Sequence, residues 1–247
     1  MARHAILAAL MLAGCAATPP RIAPTEARFD VAAAGWEPWI IDRRKPATGY
    51  ALVDKDERVV IHAVAVASVS ALVRNVLLDP VSYPLVRWRW KVERLIPGAD
   101  ELDAAREDSP ARVLITFSGD ADRLDSDERR KLALASALSG REMPYAMLMY
   151  VWSNKHPPGS VIPNPRSSRV RMVVVEQGAA RVGRWMEYER DVAADYRRAF
   201  GEEPGSITAI GVMTDADDTG TTASTYYDDI VFRSASDAAM PRAPGSR

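Results

Sequence analysis

The chain has 247 residues, 47% of them hydrophobic, with 32 Lys and Arg against 33 Asp and Glu. That apolar content supports a packed core and excludes global disorder, while a net charge of −1 gives no global pull toward nucleic acid. A single cysteine excludes an intramolecular disulfide.

Arg3 and His4 precede an apolar run over residues 5–12. The run is shorter than the ~20 residues that span a bilayer and has the form of a signal-peptide core. It leads into Leu12-Ala13-Gly14-Cys15, which resembles the lipobox of bacterial lipoprotein signals. That resemblance implies removal of residues 1–14, lipidation of Cys15, and anchoring to a membrane surface by the acyl chains. Ala16 after the cysteine implies the outer membrane. Residues 15–28, rich in Ala, Thr and Pro, read as a tether. Residues 234–247 read as a loose tail, which leaves residues 29–233 for one folded domain.

Trp36, Trp39 and Ile41 open that domain as an edge strand. Residues 50–53 form a short strand and residues 54–57 a turn. Residues 58–69 are β-branched and alanine-rich, which predicts a strand buried on both faces. His62 within it reads as a hydrogen-bonded core histidine rather than a catalytic one. Residues 84–95 alternate: Val86, Trp88, Trp90 and Val92 take one face, and Arg87, Arg89 and Lys91 the other. The Trp face is core or an aromatic platform. A strand over 111–117 precedes a helix over 125–138, where Asp125 and Glu128 make a capping box, Leu134 and Leu138 share a face, and Gly140 ends the run. Residues 145–152 are an apolar strand, and residues 153–168 a Pro- and Asn-containing loop carrying His156. Strands over 169–176 and 182–190 follow, the second with Trp185, Glu187 and Glu189 on one face. Asp191 caps a helix bearing Val192, Tyr196 and Phe200, closed by Gly201 and Pro204. An apolar strand (207–213), an acidic turn (214–221) and a second strand (224–232) read as a hairpin. Nine or more short strands, two helices and no βαβ rhythm predict a mainly β fold, an antiparallel two-sheet sandwich of jelly-roll type.

Three motifs in order carry a resemblance: Trp88-Arg89-Trp90-Lys91-Val92; the 191–200 helix with Gly201-Glu202-Glu203-Pro204; and Met213-Thr214-Asp215-Ala216-Asp217-Asp218-Thr219-Gly220 followed by Tyr226-Tyr227-Asp228-Asp229-Ile230. Together they resemble a bacterial family catalogued as domain of unknown function 3047. The chain departs from its pattern at Asp228, where a glycine is expected, and at Ser109-Pro110, where an aromatic and a small residue are usual. The family carries no assigned activity, so the resemblance implies no mechanism. Residues 227–232 are also similar to the last strand of jelly-roll carbohydrate-binding modules, which implies a glycan ligand.

The residues themselves limit the chemistry. Beyond the signal only His62 and His156 remain, no Gly-x-Ser-x-Gly elbow occurs, no His or Cys pair has zinc-ligand spacing, and no Gly-rich phosphate loop is present. The acidic turn puts Asp215, Asp217, Thr219 and Gly220 at positions one, three, five and six of a calcium loop. Tyr226 stands where the bidentate Glu belongs, so an EF-hand is rejected. Two readings stay open: a cation or ligand site at Asp215, Asp217 and Asp229, with calcium the candidate ion, or a turn whose side chains bond nearby N–H groups. Glu187 and Glu189, two apart on a strand and so roughly 6.5 Å between Cα atoms, are the weak candidates for a carboxylate-dependent glycan hydrolase. Trp90, Tyr150 and Trp152 are candidates for stacking on sugar rings, with Asp215, Asp217 and Asp229 accepting from hydroxyls. The sequence thus favours an exported, lipid-anchored, non-catalytic ligand-binding sandwich, most plausibly for glycan. A hydrolase and a structural lipoprotein with a protein partner are the alternatives.

Overall fold

A computed structural model describes residues 26–29, 31 and 35–234. Cys15, the lipobox and residues 235–247 lie outside the described residues. In chain order come β1 (Glu26–Phe29), β2 (Trp36–Trp39), β3 (Gly49–Lys55), β4 (Arg58–Val66), β5 (Ala71–Leu78) and β6 (Leu85–Val92). A long loop leads to β7 (Arg112–Phe117), a short 3-10 turn (Ala121–Arg123) and α1 (Ser126–Ser139). Then follow β8 (Ala146–Ser153), β9 (Val161–Pro163), β10 (Val170–Gln177), β11 (Met186–Asp191), α2 (Val192–Phe200), β12 (Ile207–Met213) and β13 (Thr222–Arg233).

The strands form two sheets, as the two-sheet sandwich requires. One has six strands in the order β11-β6-β13-β4-β3, with β1 also on β13; the other has seven, β2-β5-β12-β7-β8-β10-β9. Among the described residues every pairing is antiparallel except β8 with β10, which run parallel with β9 antiparallel on the far side of β10. β1 begins inside the stretch read as tether: Glu26 pairs with Arg233 and Phe29 with Ile230. β5, which the sequence reading passed over, fills the place between β2 and β12.

The apparent hairpin of residues 207–232 is not one. β12 lies in the seven-stranded sheet and β13 in the six-stranded sheet, so the acidic turn carries the chain from one sheet to the other. Both strands pair with other neighbours: β12 with β5 and β7, β13 with β4 and β6. β4 also differs from expectation. Its partner strands leave one face open to solvent, and Val66 is 62% exposed rather than buried.

Two cores explain the apolar strands. Alternate residues of β7 and β8 point opposite ways. Val113, Ile115, Phe117, Leu148, Tyr150 and Trp152 join Trp88, Trp90 and Tyr227 between the sheets. Leu114, Met147, Met149 and Val151 join Trp39, Val69, Met172 and Met213 on the outer face of the seven-stranded sheet. These strands therefore read as continuous apolar runs because both faces are covered.

The cover on the outer face is α1. Asp125 caps it by accepting from the Glu128 N–H at 2.8 Å, and Gly140 closes it in the left-handed conformation at φ 69°. Only half of the predicted capping box forms, because the Glu128 side chain accepts instead from Ser167 Oγ at 2.6 Å. Leu134 and Leu138 do not share an inner face: Leu134 is 60% exposed, while Leu138 looks inward with Leu132 and Ala135. α2 is capped likewise, Asp191 accepting from the Ala194 N–H and Gly201 taking φ 71°.

Candidate ligand cavity and its ionic end

Between α1 and the outer face of the seven-stranded sheet lies a cavity of about 390 Å³. Its floor is Leu114 of β7, Met147 and Met149 of β8 and Met213 of β12; its roof is Leu132, Ala135 and Leu138. Ala135 adds little bulk to the roof, and no aromatic residue is part of the lining. Methionine walls are flexible and polarisable and adapt to varied apolar shapes.

One end of the cavity is ionic. It is organised by Arg112, the first residue of β7 and 1% exposed. Its Nε donates to Asp215 Oδ1 at 3.0 Å and its Nη2 to Asp215 Oδ2 at 3.0 Å. Nη1 donates to Glu107 Oε1 at 2.8 Å, and Nη2 also to the Glu107 carbonyl at 2.7 Å. A guanidinium this dry persists only when its donors are met by charge. Arg166 extends the network to Glu107 Oε2 at 2.6 Å and Asp218 Oδ2 at 2.7 Å. Lys45 closes it against Asp217 and Asp218.

The electrostatics follow from burial. Desolvation works against the Arg112 cation, yet Asp215 and Glu107 together make it hold its proton harder than usual. Burial pushes the Asp215 carboxyl above the ordinary carboxylate range; Arg112 pulls it down, while Glu107 and Asp108 push it further up.

The acidic turn is held from outside. Asp108, in the loop before β7, accepts from the Asp218 N–H at 3.2 Å, the Thr219 N–H at 2.7 Å and Thr219 Oγ1 at 2.6 Å. Asp108, Asp215 and Asp217 each bring a carboxylate oxygen within 4.8 Å of the others. All three already have protein donors, since Asp215 also accepts from the Ser109 N–H at 3.1 Å.

Of the predicted residues, Asp215 and Asp217 meet here and Asp229 does not. Asp229 sits on β13 of the other sheet, where Arg58 Nη2 reaches it at 3.2 Å. Its neighbour Asp228 accepts from Arg89 Nη2 at 2.6 Å. Trp90, Tyr150 and Trp152 are fully buried, so no ring face is offered to a sugar. They pack in the inter-sheet core with Trp88, the Trp90 and Trp152 centroids 6.4 Å apart and those of Trp88 and Tyr150 4.9 Å apart. Glu187 and Glu189 are exposed on edge strand β11, Glu189 paired with Arg233 at 2.9 Å. Neither lines the cavity under α1. His62 is half-buried, with Nε2 2.9 Å from Ser224 Oγ and its ring stacked on Tyr226. Ser224 gives its proton to Glu93 Oε2 at 2.7 Å, so the histidine does not activate it.

Sequence reasoning missed Lys45, Glu107, Asp108, Arg112 and Arg166. One signal was present: an arginine heading the otherwise apolar run Arg112-Val113-Leu114-Ile115 requires buried acidic partners.

Three solved structures share part of the fold's outline. The family 11 carbohydrate-binding module of a Clostridium thermocellum cellulosomal cellulase, Lic26A-Cel5E, is 9% identical, with 86% of this chain and 96% of that chain covered and a TM-score of 0.42. The xyloglucanase domain of NopAA, a type three effector from Sinorhizobium fredii in complex with cellobiose, is 7% identical over 81% and 98%, at 0.38. The endo-1,4-β-glucanase CelB2 is 12% identical over 78% and 87%, at 0.36. Likeness at this level carries no argument about ligand. No curated protein matches the chain. The family described as protein of unknown function (DUF3047) matches residues 34–231, and the chain belongs to that family.

Proposed function

We propose that the protein is a non-catalytic binding protein of the bacterial envelope that takes a small amphipathic molecule in the cavity under α1. The observation that carries this reading is the cavity itself: about 390 Å³, with a wall of Leu, Met and Ala, the Arg112 cluster among its charged groups, and Lys131 and Arg169 as further cations in its lining. Small-molecule sites have that volume and that balance, mostly apolar with a few polar groups to fix orientation. An apolar body fits the methionine floor, and a polar end reaches the Arg166, Lys45 and Asp218 groups. The pairing of the ionic end, where Arg112 engages both Asp215 and Glu107, supports binding rather than catalysis. Envelope anchoring rests on Cys15 and predicts that Cys15→Ser releases the protein from membranes.

Glycan binding is the second reading, and a different surface favours it. On the outer face of the six-stranded sheet Trp185 is half-exposed, with Tyr226 stacked on His62 beside it. Arg89 already lies 4.5 Å from the Trp185 ring centroid and Lys55 4.8 Å from that of Tyr226, so a sugar competes with resident cations.

The two readings separate by variant. An environment-sensitive apolar dye should bind saturably and be displaced by a long-chain amphipath. Ala135→Trp, which fills the cavity from its roof, should weaken that binding at least tenfold while the thermal midpoint holds. Unchanged binding in Ala135→Trp sinks the cavity reading. Retention on insoluble glycan that Trp185→Ala abolishes establishes the second.

A further inference from the structure

We propose that Asp100, Glu101 and His156 form a binding site for a divalent transition-metal ion, distinct from the cavity and joining two loops. Asp100 and Glu101 belong to the loop between β6 and β7; His156 belongs to the loop between β8 and β9. One imidazole nitrogen and two carboxylate oxygens from these residues lie within 4.8 Å of one another.

A second observation points to a ligand. Glu101 is 1% exposed, and its Oε1 has no hydrogen-bond partner. Its other oxygen, Oε2, accepts from Ser153 Oγ at 2.8 Å and lies 3.8 Å from His156 Nε2. A buried carboxylate oxygen without a donor is costly, and a cation beside it removes that cost. Asn154, two residues before His156, repeats the pattern. Its Nδ2 donates to the Ile96 carbonyl at 2.5 Å, and its buried Oδ1 has no partner.

The spacing fits. Donors ~2.0–2.1 Å from a tetrahedral ion stand roughly 3.3 Å from each other. His156 Nε2 is 2.9 Å from Asp100 Oδ1 and 3.8 Å from Glu101 Oε2, values that straddle that separation. The donor set selects the ion class: an imidazole with two carboxylates suits zinc, manganese or iron(II), whereas calcium takes oxygen throughout. Binding replaces the proton shared by His156 Nε2 and Asp100 Oδ1 with the metal. Ser153 supplies outer support, since its Oγ also accepts from the His156 N–H at 3.0 Å. Lys155, 2.5 Å from Asp100 Oδ2, holds the second oxygen of that carboxylate.

The full chain, stripped of metal by chelation, is titrated with Zn²⁺ by calorimetry. One saturable site is expected. His156→Ala and Glu101→Gln should each weaken it by about 100-fold or more, because losing even an outer partner costs roughly 10–100-fold. Co²⁺ gives a reading that needs no variant: the wild type should develop the intense visible bands of a four- or five-coordinate ion. Absence of saturable Zn²⁺ binding overturns the proposal. So does undiminished binding in His156→Ala, binding lost instead in Asp108→Asn, or a Co²⁺ spectrum no stronger than that of the aqueous ion.

Discussion

Replacing Arg112 by methionine tests the ionic end of the cavity. The side chain is 1% exposed and gives two hydrogen bonds to Asp215 and two to Glu107. Methionine preserves much of the volume and removes the charge, leaving the buried Asp215 carboxylate without its counter-ion and Glu107 with Arg166 alone. Breaking a buried pair from one side costs about 3–5 kcal/mol. At roughly 2–4 °C per kcal/mol for a domain of this size, the thermal midpoint should fall by about 6–20 °C. The loss should depend on pH in a stated direction. Burial pushes the Asp215 carboxyl up and Arg112 pulls it down, so the variant raises it further. A carboxyl whose folded value exceeds its unfolded one, ~3.9 for Asp, destabilises the fold increasingly as pH rises through the interval between them. Burial already holds the wild-type carboxyl at about 8, so below that both proteins lose stability with pH alike. The gap in midpoint between wild type and Arg112→Met should therefore stay level from about pH 4 to about 7 and widen from about pH 8 to about 10. Thermal unfolding followed by circular dichroism across that range measures it. A gap that stays flat across the whole range, or a fall below about 3 °C, refutes the account of Arg112 as a buried counter-ion.

Trp90→Ala should lower stability by about 3–5 kcal/mol, since the ring is fully buried among Trp88, Tyr188 and Tyr227. Chemical denaturation reads this, and a stable Trp90→Ala protein with a selective binding defect would contradict the placement. Gly211→Ala on β12 puts a Cβ 2.7 Å from Val73 Cγ1 and 2.9 Å from the Leu72 carbonyl oxygen. Such overpacking costs about 1–3 kcal/mol, and an unshifted denaturation midpoint would show that β12 sits elsewhere. Glu187→Gln and Glu189→Gln, on an exposed edge, should each stay within about 0.5 kcal/mol of wild type; larger losses would give those carboxylates a role that their surroundings do not.

Local signals carried well from sequence to structure. The alternation of residues 85–92 put Trp88 and Trp90 on one face and Arg87, Arg89 and Lys91 on the other, and the strand's burial alternates in step. Asp125, Gly140, Asp191 and Gly201 marked helix ends by the hydrogen bonds and left-handed backbone they supply. Pairing between distant strands did not carry. Two adjacent apolar segments joined by a short polar turn read as a hairpin whether they pair or cross between sheets, and β12 and β13 cross. The parallel meeting of β8 and β10 was hidden for the same reason. Half the site was legible. Asp215 and Asp217 stood out as a cluster, but their partners Arg112, Asp108, Arg166 and Lys45 come from loops and strand ends up to 172 residues away in the chain. Asp229 looked like a third member because carboxylates near in sequence invite grouping; the sheet change carries it to Arg58 instead. The aromatic candidates failed because a Trp on an apolar strand face serves core and platform equally well, and here a second sheet covers that face.

The central claim is that an amphipathic molecule occupies the space under α1. Methionine-methyl NMR during titration with a long-chain amphipath tests it most directly. Met143, Met147, Met149 and Met213 line the cavity, while Met186 lies on β11 of the other sheet and serves as an internal control. The account predicts that the four cavity methyls shift together and saturate at one equivalent while Met186 stays still. Shifts at Met186 with the four cavity methyls unmoved would contradict it.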